Sequence, residues 1–177
     1  MIFVDESEVH LNPPLTKVWA KRGEPARVPA AGDDKKRAVF GGWDYRTERF
    51  FWQISERKNS EAFLSFLEHL LAHRPTGRRL VLVMDNAGYH RAKKVQHFLA
   101  QQGGRLEPFW LPPYSPELNL IEYAWGYLKE TATNNYFFGD VARMETAVAQ
   151  ACRQLNSSPD SPIQLHFRAL EDFHRAA

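Results

Sequence analysis

The sequence is poor in three things, and each absence removes a class of protein. It has a single cysteine, Cys152. Neither an internal disulfide nor a multi-cysteine zinc site can form, and a reducing cytoplasm is the compartment that fits. It has no long hydrophobic run. The longest is the five residues from Leu80 to Met84, far short of the roughly 20 apolar residues a membrane-spanning helix needs. No charged segment followed by a long apolar one opens the chain, so no signal peptide is expected. It also has little net charge, +2 from 23 Lys+Arg against 21 Asp+Glu. Any contact with nucleic acid must therefore come from local basic patches. Core material, by contrast, is plentiful: 44% of the 177 residues are apolar and 13% aromatic. That composition suits one folded domain and argues against disorder.

Residues 1–9 read as a strand that begins at once with Met-Ile-Phe-Val. Residues 11–34 are rich in Pro, Gly and charge and read as a β-arm or loop insertion. Residues 36–45 and 48–55 read as a hairpin turning at Arg46-Thr47, both halves aromatic or β-branched. The Gly41-Gly42 pair inside the first half points to a bulge or a close backbone approach. Residues 59–74 show helical periodicity, with Ala62, Phe63, Phe66, Leu67, Leu70 and Leu71 on one stripe and Asn59 or Ser60 as N-cap. Strand 78–85, helix 91–104, strand 105–112, helix 120–133 and helix 140–155 follow, with a further helical tail over 156–177. Cys152 falls in an apolar helical pattern and reads as a small core residue. Antiparallel hairpins followed by βαβ units predict an α/β fold: a mixed five-stranded sheet, three strands antiparallel and then two parallel, with helices on both faces.

Three carboxylates fall at element junctions. Asp5 follows Ile-Phe-Val in the first strand, Asp85 ends the apolar strand, and Glu122 lies in the first turn of the helix at 120. Ligands gather at the ends of neighbouring strands in an open α/β sheet. If the first strand lies beside strand 80–85, Asp5 and Asp85 come close, and the helix at 120 can bring Glu122 over the same edge. Such acids repel: two charges about 4 Å apart cost on the order of 4 kcal/mol at an effective dielectric of 20. Protonation or a cation must compensate. An oxygen-only ligand set favours Mg²⁺ or Mn²⁺, and a pair of such ions suits in-line phosphodiester chemistry. Each acid also has an ordinary reading. Asp85 before Asn-Ala-Gly is a turn residue, Asp5 belongs to the acidic run Asp-Glu-Ser-Glu, and Asn119 with Glu122 matches a capping box.

The motifs FVDES, MDNAGYH and LPPYSPELNLIEYAWGYLK resemble the catalytic domain of mariner-like bacterial insertion-sequence transposases, members of the DDE superfamily. Asp85 and Glu122, with 36 residues between them, keep close to the family's spacing. KVWAKRGEPARVP is similar to the segment that the family places between its first two strands. The resemblance covers about residues 1–155 and implies an RNase H-like fold with Asp5, Asp85 and Glu122 as catalytic, metal-binding acids. It further implies two Mg²⁺ or Mn²⁺ ions, DNA strand cleavage, and transfer of the freed 3′-hydroxyl to target DNA. Asn86, His90, Arg91, Lys94, Asn119 and Lys129 are expected to support the site or contact DNA, and Tyr114, Ser115 and Pro116 to shape the loop that delivers Glu122. The family's proline before Ile-Glu is Leu120 here, a change the first helical position tolerates. The family's N-terminal helix-turn-helix region has no counterpart in these residues, so a separate DNA-binding polypeptide is an expected partner. The others are element ends and target DNA, and a second copy in a homodimer on DNA. No membrane contact is expected, and the location is cytoplasmic, at the nucleoid. Two other readings stay open on the residues alone: an inactive or domesticated DNA-binding or assembly relative, and a metal nuclease acting on RNA–DNA hybrids.

Overall fold

The computed structural model describes residues 1–73 and 79–157. The expected C-terminal tail from residue 158 on, and the basic residues 74–78, lie outside that range. The elements are β1 (Ile2–His10), β2 (Lys36–Asp44), β3 (Arg49–Ser55), α1 (Ser60–Ala72), β4 (Leu80–Met84), α2 (Lys93–Gln101), β5 (Leu106–Trp110), α3 (Glu122–Leu128) and α4 (Val141–Ser157). A 3₁₀ turn over Pro116–Leu118 precedes α3, and a π-helical turn over Lys129–Thr133 extends it.

The sheet order is β3-β2-β1-β4-β5. The β1–β2 and β2–β3 pairs are antiparallel, and the β1–β4 and β4–β5 pairs are parallel. This is the expected mixed sheet. Alternation along the strands divides the core in two. Ile2, Val4, Phe40, Leu82 and Met84 meet α1 and α2, while Phe3, Val39, Trp43 and Val83 meet α3 and α4. α1 buries Phe63, Phe66, Leu67 and Leu70, each worth about 1.5–3 kcal/mol of transfer free energy as an upper estimate. Its N-cap is Asn59, whose side chain accepts the Ala62 N–H. Cys152 is buried in α4, as expected.

Several expectations are corrected. Residues 11–34 form no strand, so the loop alternative for this insertion is the one observed. The loop is closed at its base, where Leu11 N–H donates to Lys35 C=O and Asn12 N–H to Asp34. Helix 91–104 is shorter, starting at Lys93. Helix 120–133 splits into α3 and the π turn, in which Asn134 N–H reaches Lys129 C=O at 2.7 Å.

Both sheet edges are blunted. At β3, the Asn156 side-chain amide accepts the Phe50 N–H at 2.7 Å and donates to the Phe50 C=O at 2.9 Å, taking the place of a further strand. At β5, Pro108 removes one backbone donor from the middle of the strand. Among the described residues no helix is long and apolar enough to cross a membrane.

Candidate active site

The parallel register decides where the acids stand. Phe3 pairs with Val83 across β1 and β4. Two residues further along each chain come Asp5 and Asp85, so both carboxylates leave the sheet at the same level and on the same face. β4 ends at Met84, and β5 continues past it: Leu111 N–H donates to Met84 C=O. From there the chain runs through Pro112 and Pro113 and the 3₁₀ turn to α3. Asn119, buried, donates from Nδ2 to Val4 C=O at 3.1 Å and pins this loop to β1. α3 then starts over the strand ends, with Glu122 as its first residue. The result is a cavity of about 420 Å³ lined by Asp5, Asp85, Asn86, Asn119 and Glu122 together with Pro112 to Pro116. A wider groove of about 770 Å³ lies between the π turn and α4. Its one carboxylate, Asp140, is already paired with Arg143.

The three acids differ in environment. Asp5 lies on the α3 face of β1, and its Oδ2 accepts the Trp125 indole N–H at 3.0 Å. Burial, then the neighbouring Glu6, push its carboxyl up to about 7, with Glu122 adding to the rise. Asp85 is half exposed. His90 Nδ1 at 2.8 Å and the Ala87 N–H at 2.9 Å both approach its Oδ1, and the His90 contact holds it below the usual carboxylate range. Glu122 is exposed at the helix start, with three side-chain torsions free to bring it inward. The carboxylates face one cavity without yet closing on a point: among the described residues no group of three or more His, Cys, Asp or Glu side chains is gathered tightly enough to hold an ion. Oxygen donors only, a protonatable half-buried Asp5 and a repelling Glu122 are the chemistry that a hard divalent cation would relieve.

The other expected residues are placed unevenly. Asn86 lines the cavity, its Nδ2 donating to Leu111 C=O at 2.5 Å. His90 is fully buried behind Asp85, which rules out a surface contact for it. Arg91 lies over the Trp110 ring at 4.5 Å and donates to Asn86 Oδ1. Lys94 pairs with Glu61 of α1. Arg91, Lys94 and Lys129 do not line the cavity. The capping box does not form: Asn119 spends its side chain on β1, and Ile121, without a side-chain cap bond, stands at the N-cap of α3. Sequence reasoning did not single out Trp125 as the partner of Asp5, nor place Gly41 opposite Asp5. An alanine Cβ at Gly41 would stand 2.5 Å from Trp125 Cη2, so the glycine makes room for the indole that holds Asp5. The Gly-Gly signal pointed there as a close approach.

A mixed sheet of this order, with helices on both faces, defines the fold class as RNase H-like. The sequence pattern of the DDE superfamily endonucleases matches residues 1–145, and the chain belongs to that family. Among its relatives is the insertion element IS630 uncharacterized 39 kDa protein of Shigella sonnei, 29% identical over 136 residues, which are 77% of this chain and 39% of that protein. An uncharacterized protein y4pE/y4sA of Sinorhizobium fredii is 27% identical over 119 residues, 67% of this chain and 82% of that one. The fold is shared with the transposase of the Mos1 strand transfer complex, at a TM-score of 0.66 and 21% identity over 97% of this chain and 51% of that one. It is shared also with the catalytic core domain of BIV integrase, at a TM-score of 0.55 and 16% identity over 78% and 90% of the two chains. The chain thus spans about two-fifths of the length of its Shigella relative.

Proposed function

We propose that this chain is the catalytic domain of an insertion-sequence transposase, in which Asp5, Asp85 and Glu122 hold two divalent cations, Mg²⁺ or Mn²⁺. The observation that supports this best is the register: Asp5 and Asp85 stand level on adjacent parallel strands, and Glu122 opens a helix over the same cavity. Bound there, the cations would activate an attacking oxygen and neutralise charge on the phosphate. The protein's own part is placement. β1 and the end of β4 fix two carboxylates that line the cavity, and Trp125 and His90 hold one oxygen of each, leaving the other for an ion. Asn119 ties the loop carrying Glu122 to β1, so the third acid is delivered at a fixed height. DNA strand cleavage and transfer of a 3′-hydroxyl to target DNA are the reactions this arrangement serves, with element ends and target DNA as substrates.

The test is nicking of supercoiled DNA bearing element ends, by the chain joined to a cognate DNA-binding region, in Mn²⁺. Asp85→Ala is expected to reduce nicking at least a hundredfold. Undiminished nicking in that variant rules the assignment out. Mn²⁺ binding without any nicking would instead indicate a DNA-binding or assembly role.

A further inference from the structure

Behind Asp85 lies a buried charged chain that the cavity does not contain. Strand alternation puts Glu6 on the opposite face of β1 from Asp5, in line with Ile2 and Val4 and against α1. Its side chain is 3% exposed. A carboxylate in such a position is costly unless paired. Lys58 Nζ lies 2.5 Å from its Oε1, and His90 Nε2 faces its Oε2 at 3.4 Å, a charge contact in which neither atom makes a hydrogen bond among the described residues; Tyr89 lies beside it as well. Burial raises its pKa, but the His90 and Lys58 contacts outweigh that and hold it below the ordinary range. His90 is wedged against the Phe63 ring at 4.2 Å and the Tyr89 ring at 4.4 Å. Its other nitrogen, Nδ1, faces Asp85 Oδ1. The imidazole therefore has an acid at each end, hydrogen-bonded to Asp85 through Nδ1 and facing Glu6 at Nε2 without a hydrogen bond.

Both hydrogen bonds described for Asp85 fall on Oδ1. We propose that Glu6 is a positioning residue: acting through His90, it fixes the Asp85 carboxylate with Oδ1 turned to the protein and Oδ2 presented to the cavity. This rests on the reading of Asp85 as an ion ligand. Glu6 itself touches neither cavity nor substrate. Its part is to stop the ring of His90 from rotating. Without the Glu6 charge facing Nε2, the ring is held only by its stacking contacts and by Asp85 itself, and ring and carboxylate are freer to turn together. Partners of this kind, which orient a ligand without touching the ion, typically contribute 10–100-fold in metal affinity. Lys58, at the entrance to α1, holds Glu6 from the solvent side and keeps it from following Asp85.

The experiment compares the wild-type chain with Glu6→Gln, after thermal melting has shown the variant folded. Should Glu6→Gln not fold, Glu6→Asp keeps the charge and shortens its reach. The first readout needs no metal: the Nδ1–H proton resonance of His90 in ¹⁵N-histidine-labelled protein. It is expected as a slowly exchanging signal in the wild type and as a broadened or lost signal in the variant. The second is calorimetric titration with Mn²⁺, in which the variant is expected to bind about 10–100-fold more weakly. A folded variant with an unchanged His90 signal and Mn²⁺ affinity within twofold of wild type overturns the proposal. A His90 signal that depends on Glu6, in a wild-type chain that binds no Mn²⁺, supports the positioning role and overturns the transposase reading instead.

Discussion

Asp5 is a carboxyl that the fold keeps against its own stability. Its pKa, raised to about 7 by burial and by Glu6, compares with about 3.9 in an unfolded chain. Between those values the unfolded state releases the proton and the folded state keeps it. The contribution of this one group to stability is thus fullest below about pH 4 and is lost as the pH rises through 7. Asp5→Asn keeps an oxygen to accept the Trp125 N–H and removes the charge. In chelator, the variant is expected to melt higher than wild type at pH 8, with the difference shrinking towards pH 4. Each unit of relieved shift is worth about 1.4 kcal/mol, or roughly 3 °C in a chain of this size. A variant that melts lower at pH 8 would contradict the burial argument. Asp85 was legible in the sequence because an apolar strand that ends on an acid is visible in a linear reading; Asp5 lies inside β1, which runs on to His10, and was marked there only by the Ile-Phe-Val before it. Glu6 was legible in principle too, since Ile2, Val4 and Glu6 share a strand face. The acidic run around it masked that alternation, and its partners Lys58 and His90 come from distant parts of the chain.

At the scale of elements, α3 shows where local rules give way to tertiary ones. Asn119 and Glu122 satisfy a capping pattern, yet the Asn119 amide is worth more on the buried Val4 carbonyl, which would otherwise lose a partner at about 1–3 kcal/mol. The element types and helices on both faces of a mixed sheet followed from hydrophobic period and element order, whereas the neighbourhood of β1 and β4 entered only as a condition. The π turn at Lys129 did not, because no residue type marks it. Gly41 links the sheet to α3. Gly41→Ala would place its methyl group within 2.5 Å of Trp125, and such overpacking costs typically 1–3 kcal/mol. The variant is expected to melt roughly 3–10 °C lower and to lose nicking beyond what that loss of stability explains, since the indole must leave Asp5. Normal nicking in a folded Gly41→Ala chain would show that the indole contact is dispensable.

At the scale of the whole molecule, the insertion between β1 and β2 stands apart from the core. Leu15, Val18 and Trp19 are exposed, Trp19 completely, although the segment is anchored to the 134–136 turn through Thr16 and Asn135. An unburied tryptophan on a tethered loop is the kind of surface that a partner can cover, and it is the place to test the proposal of a homodimer on DNA. Trp19→Ala is expected to shift DNA-bound protein from dimer towards monomer in sedimentation, with the melting temperature unchanged. An unaltered dimer fraction would assign that contact elsewhere. The blunted sheet edges bear on the same question. With Asn156 occupying the backbone of β3 and Pro108 interrupting β5, neither flank can template a neighbour's strand. Were copies of this chain to gather on one DNA segment, as the proposed function requires, these interrupted edges would work against fibril-like stacking and leave the joining to side chains, which can also let go.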